Sequence, residues 1–140
     1  LRAVVLEGLD AIGDAVARAA QTGKSPRTRF EAMLRAHLGQ LLEAEGRNFA
    51  ATLLHETRHL NPEDLAELVA RKDRYEAMWQ KALKDLKSAG LIADDSHVAR
   101  LFLLGAMNWT AQWYRPEGSR NIDQLARQLA DFVLGKPRRA

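Results

Sequence analysis

His55, Glu56 and His59 are the residues whose chemistry is easiest to name. Their order, H-E-x-x-H, puts two imidazoles four residues apart, the spacing with which one helical face can hold zinc while Glu acts as base. That chemistry needs a continuous helix through both His residues and a third ligand on the same face. His59 instead abuts Leu60-Asn61-Pro62, where Asn61 caps and Pro62 opens a new helix. The pair therefore reads first as a surface or pocket-rim feature, and no metal site is assigned. A metal-dependent helical enzyme using His55, Glu56 and His59 is the competing reading.

His37 sits among Met33, Leu34, Leu38 and Leu41. A lone His on an apolar face is more often a satisfied core residue than a ligand-binding one, and both roles stay open. Asn108, Trp109, Trp113, Tyr114 and Arg115 form a third group. They can line a pocket with a wet mouth or anchor an interface, and for Trp113 to Arg115 the interface is favoured. With no Cys, thiol catalysis, thiolate metal sites and disulfides are excluded. There is no Gly-rich phosphate loop, and no pair of carboxylates sits on an apolar face as glycosidase chemistry requires. No catalysis and no cofactor are expected.

Helices must position these groups. Apolar residues recur at helical spacing throughout, strand signals are scarce, and an all-α bundle of about six helices follows. The first helix covers 1 to about 21, with Val4, Val5, Leu9, Ile12 and Val16 on one face and Gly23 just beyond its end. Ser25-Pro26 opens a second, to about Ala44, with Phe30, Met33, Leu34, Leu38 and Leu41 inward. A short third covers about Arg47 to Glu56. Asn61-Pro62 opens a long fourth that stops at Gly90; its stripe is Leu65, Leu68, Val69, Tyr75, Met78, Trp79, Ala82, Leu83 and Leu86. Lys72 falls on that stripe and must snorkel or find an acceptor.

Asp94-Asp95-Ser96 caps the fifth helix, Val98 to Trp113. Its Leu101, Phe102, Leu103, Leu104, Ala106, Met107 and Trp109 cover most of its circumference, so it must be buried on more than one side. It is too short and interrupted to span a bilayer. It is expected to pack on its own domain and on another chain. Asn121 caps the last helix, to about Leu134, and the basic tail from Gly135 to Arg139 is expected to be frayed.

A length of 140 residues suits one domain, 1–140. Hydrophobic content of 46%, with 28% charged residues, is ordinary for a globular protein. The net charge of +3 permits an acidic ligand without demanding nucleic acid. There is no secretory signal and no membrane segment, and a cytoplasmic protein is expected. Leu1 is already in phase with a helical stripe, without start Met or cap, so the chain is expected to begin inside a helix.

The stretch L-L-G-A-M-N-W-T-A-Q-W-Y-R-P-E-G from Leu103 to Gly118, followed by I-D-Q-L-A-R-Q-L-A-D-F-V-L-G, resembles the C-terminal domain of TetR/AcrR-family transcriptional regulators. Leu60 to Gly90 is similar to that family's long middle helix, and the opening L-R-A-V-V-L-E-G-L to the helix that joins its DNA-binding head. The resemblance implies a homodimer whose last two helices form a four-helix interface. It implies an effector cavity among the first, second, long and two-sided helices, and release of operator DNA on ligand binding. Operator DNA would be bound only through a helix-turn-helix head that is absent here. The effector implied is a small apolar or acyl-CoA-like molecule.

The residues expected to line or gate the cavity are His37, Phe49, Leu53, His55, Tyr75, Trp79, Phe102, Asn108 and Trp109. The dimer surface is expected to draw on Leu103, Ala106, Trp113, Leu125, Leu129 and Phe132. A ligand-free helical dimerisation adaptor is the third reading.

Overall fold

The computed structural model describes residues 2–43 and 59–136, with their side chains from Leu6 onward. Five α-helices lie within them: α1 Arg2–Ala19, α2 Pro26–Leu42, α3 Pro62–Ser88, α4 His97–Trp113 and α5 Ile122–Leu134. No strand occurs among the described residues. The short helix expected at 47–56 lies outside them.

Local chemistry sets the helix starts. Before α2, Ser25 Oγ accepts from the Thr28 N–H at 3.2 Å, and Thr28 Oγ1 accepts from the Ser25 N–H at 3.1 Å. This reciprocal box satisfies two donors that would otherwise lack partners. Asn61, Ser96 and Asn121 cap α3, α4 and α5 in the same way, each accepting from the backbone N–H three residues on. Pro26 and Pro62 fall at the first helical position, where a lost N–H costs nothing. Between α1 and α2 the chain turns at Gly23, with φ of +79°. A Cβ there would come within 2.6 Å of Thr28 Oγ1, so the turn that feeds the capping box excludes a side chain on two counts.

Helix α2 is the hub and touches each of the other four described helices. Its Phe30, Met33, Leu34, His37, Leu38, Leu41 and Leu42 are all buried. They meet Ile12 and Val16 of α1, Tyr75, Trp79, Leu83 and Leu86 of α3, Leu103, Leu104 and Met107 of α4, and Leu125, Ala126 and Ala130 of α5 in one cluster. A smaller cluster joins Leu6 and Leu9 of α1 to Leu68 of α3. The same two helices are clamped where Arg71 donates to Asp10 at 2.5 Å and to Glu67 at 2.8 Å.

One expectation changes. Leu65 and Val69 are exposed rather than inward. Among the described residues the first turns of α3 pack through Leu68, into the small cluster. Lys72 does find an acceptor, as expected: its exposed side chain brings the ammonium 4.0 Å from the mostly covered carboxylate of Glu76.

Candidate functional site

Three helices converge on a polar node inside the apolar core. His37 comes from α2, Tyr75 from α3 and Asn108 from α4. His37 and Tyr75 are buried. Burial holds the imidazole pKa down to about 4, against a smaller opposing pull from Asn108, so the ring is neutral near pH 7. A neutral imidazole carries one proton. Nε2 faces the side-chain oxygen of Asn108 at 2.9 Å, and that oxygen can only accept. The proton therefore sits on Nε2, which donates to Asn108. Nδ1 is left as an acceptor and accepts a hydrogen bond from the Tyr75 hydroxyl. Burial pushes the Tyr75 hydroxyl well above its usual range, with the neighbouring Trp79 indole acting weakly the other way, so the phenol stays protonated and donates.

Aromatic rings pack around the node. Trp79 is fully buried and meets Phe30, His37 and Tyr75 edge-on, at centroid distances of 6.2, 6.0 and 6.5 Å. The imidazole stacks on the Tyr75 ring at 5.8 Å. Among the described residues the indole nitrogen of Trp79 makes no hydrogen bond of full geometry, and its interaction is with the Tyr75 hydroxyl, whose oxygen can accept as well as donate.

The structure thus brings together His37, Tyr75, Trp79 and Asn108 of the residues expected at a cavity. It does not bring Phe102 and Trp109 to them. Helix α4 turns Leu103, Leu104, Met107 and Thr110 inward, which leaves Phe102 and Trp109 on the outer side, 75% and 66% exposed. Phe49, Leu53 and His55 lie outside the described residues. His59 is exposed in a short turn just ahead of the α3 cap, and His55 and Glu56 fall outside the described residues. Among the described residues no three His, Asp or Glu side chains are placed to hold a metal ion.

Of the residues expected at a dimer surface, Ala106 is exposed, as are Trp113 and Phe132 at 53% and 86%. Leu129 is half-buried, whereas Leu103 and Leu125 belong to the chain's own core. Val98, Leu101, Phe102, Trp109 and Trp113 form a continuous outer stripe along α4. Gly105 lies on it, with open space where its Cβ would stand.

A second polar cluster was not singled out by the sequence reasoning. Arg100 donates to Gln80 at 3.0 Å and to His97 at 2.8 Å, and lies 3.7 Å from Glu76. Gln80 in turn donates to the Asp95 carbonyl. The group floors an open groove of about 700 Å³ between α3 and the start of α4. Its signal in the sequence was Arg100 standing in phase with Leu103, Leu104 and Met107.

The model of the tetracyclin repressor-like, C-terminal domain family matches residues 23–136. The chain belongs to this family. The TetR fold is shared with solved structures over nearly the whole chain. The superantigen PfiT is 32% identical, covering 97% of this chain and 72% of its own, with a TM-score of 0.86. A TetR/AcrR-family regulator of Thermobifida fusca is 31% identical over 99% and 73%, with a TM-score of 0.74. AibR, solved with isovaleryl coenzyme A and operator DNA, shares the fold at a TM-score of 0.81 and 24% identity, over 96% of this chain and 72% of that one. No curated protein sequence matches the chain. No helix among the described residues of this TetR-family domain is long and apolar enough to cross a membrane.

Proposed function

We propose that this chain is the effector-binding and dimerisation domain of a ligand-responsive transcriptional repressor. Operator DNA would be held by a helix-turn-helix head joined to α1. The observation that carries the reading is the outer face of α4, in a chain of this family. One copy leaves Phe102, Trp109 and Trp113 bare along α4, and Phe132 bare on α5. Large contiguous apolar surfaces mark interaction sites, and a two-fold dimer is the arrangement that reads a palindromic operator.

The effector would be an acyl-CoA or another lipid-like molecule, taken up beside the His37–Tyr75–Asn108 node. Support comes from AibR, whose structure holds isovaleryl coenzyme A, and from a core that pairs apolar walls with a few aimed polar groups. A ligand that moved Tyr75 or His37 would be felt by α2, α3 and α4 together, since the node ties all three. The protein is proposed to act in the cytoplasm, without catalysis.

Sedimentation at micromolar concentration and thermal shift against a panel of acyl-CoAs test this. A dimer is expected, stabilised by an effector by about 2.7 kcal/mol at a hundredfold excess over Kd. A stable monomer would overturn the dimer. No shift with any acyl-CoA or lipid-like compound would favour the ligand-free adaptor.

A further inference from the structure

The hydrogen bond that holds the buried ring of His37 ends on an exposed residue. Asn108 accepts from Nε2 at 2.9 Å, yet in a single copy Asn108 itself is open to solvent. It shares a row along α4 with Leu101, Gly105 and Gln112, at helical spacing, and all four are exposed. The row runs beside the outer stripe of Val98, Phe102, Trp109 and Trp113. Every exposed residue of α4 from Val98 to Trp113 is uncharged. A helix side that faces water normally carries charge. A side that meets its own copy across a two-fold axis would set like charges against each other. The occupant that fits this uncharged face is a second copy of the chain.

We infer that the second copy closes the His37–Tyr75–Asn108 node: dimerisation covers Asn108, so the buried triad and the contact between copies are coupled. This rests on the dimer reading above and adds a route from the core to the seam. In a lone copy water competes for the Asn108 oxygen. Excluding that water leaves the His37 Nε2–H as the oxygen's partner, and a hydrogen bond is stronger in a drier setting. Residues four apart on a helix are neighbours, so the Gln112 oxygen is in reach of the Asn108 amide nitrogen as water leaves. Coupling of this kind is reciprocal. Whatever pulls His37 or Tyr75 out of place strands the Asn108 oxygen inside the seam and weakens the dimer, although both residues are buried within their own subunit.

Two measurements test the coupling. His37→Leu, a change at a buried position on α2, is expected to weaken the dimer about tenfold in sedimentation, since each of two copies loses part of one hydrogen bond. Leu9→Ala, in the small cluster between α1 and α3, loosens the subunit away from the node and should leave the dimer constant unchanged. In the unaltered protein, the His37 Nε2–H is expected to exchange with water about tenfold more slowly in the dimer than in monomers obtained by dilution or by Ala106→Arg. The ring's nitrogen resonances should move between the two states. If His37→Leu fails to fold, these imidazole signals decide the matter. A dimer constant unmoved by His37→Leu, equal weakening by Leu9→Ala, or identical imidazole signals in monomer and dimer overturns the coupling and leaves the dimer standing. A chain that stays monomeric at every concentration overturns the dimer reading and the coupling with it.

Discussion

The hydroxyl of Tyr75 donates to Nδ1 of His37 across 38 residues of sequence, and the far side of the same ring reaches Asn108 on a third helix. One imidazole therefore holds α2, α3 and α4 in register. Because it is buried and neutral, it does so at a cost that appears only on acidification.

Stability should fall between about pH 6.5 and pH 4. In the unfolded chain His37 takes a proton below its ordinary value of 6.5, whereas in the folded core it resists until about 4. Over that window the unfolded state binds more protons, so stability rises with pH and is lost as pH falls. The full loss from this residue amounts to about 3 kcal/mol, because each tenfold difference in proton affinity between the folded and unfolded chain is worth about 1.4 kcal/mol. Urea midpoints measured across this range should show the slope, and His37→Gln should flatten it. An equal slope in the variant would assign the effect elsewhere.

Asn108→Ala should destabilise the fold by about 1–3 kcal/mol, although Asn108 itself is exposed. The change strands the Nε2 proton of a buried ring. Chemical denaturation measures the loss, and a neutral outcome would mean that water takes over as acceptor.

Ala106→Arg should give monomers without unfolding the chain. Residue 106 is on the uncovered side of α4, and neighbouring Gly105 meets nothing within 4 Å, so the subunit has room for the longer side chain. In a symmetric dimer the added charge would face its own copy. Sedimentation should report the dissociation while circular dichroism stays unchanged.

Arg27 carries the polar side of the α2–α5 contact. Its guanidinium donates to Asp131 at 3.0 Å and to the Gly135 carbonyl just past α5 at 2.8 Å. Positive charge is favourable at that end of a helix. Arg27→Met should cost about 1–2 kcal/mol in urea denaturation, allowing for the partly exposed pair. Asp131→Asn should cost less, because the carbonyl contact survives.

Gly13→Ala should stabilise the protein by about 0.5–1 kcal/mol, the gap between the two residues inside a helix. The new methyl would stand 3.9 Å from the Tyr75 ring, an ordinary contact. Thermal denaturation reads the gain. A loss would mean that α1 needs its present closeness to Tyr75.

Much of this molecule is local, and the local part was legible. Ser25-Pro26, Asn61-Pro62, Ser96 and Asn121 announce their helices because a cap is satisfied within three residues of chain. Helical spacing placed Trp79, Leu83 and Leu86 in the core without knowledge of what covers them. His37 was identified as a core residue or a ligand partner, but its role turns on groups 38 and 71 residues away.

The amino-acid order by itself determined the helices, their inward stripes and the excess of apolar surface on α4. Packing alone decided which way each surplus residue points. Phe102 and Trp109 look outward because α2 takes the side that holds Leu103, Leu104 and Met107, and a rigid helix can present only one face to one neighbour. The pairing of Tyr75, His37 and Asn108 arises only where three helices meet. Periodicity records the face a residue occupies, whereas hydrogen-bond partners depend on the distance and angle between faces.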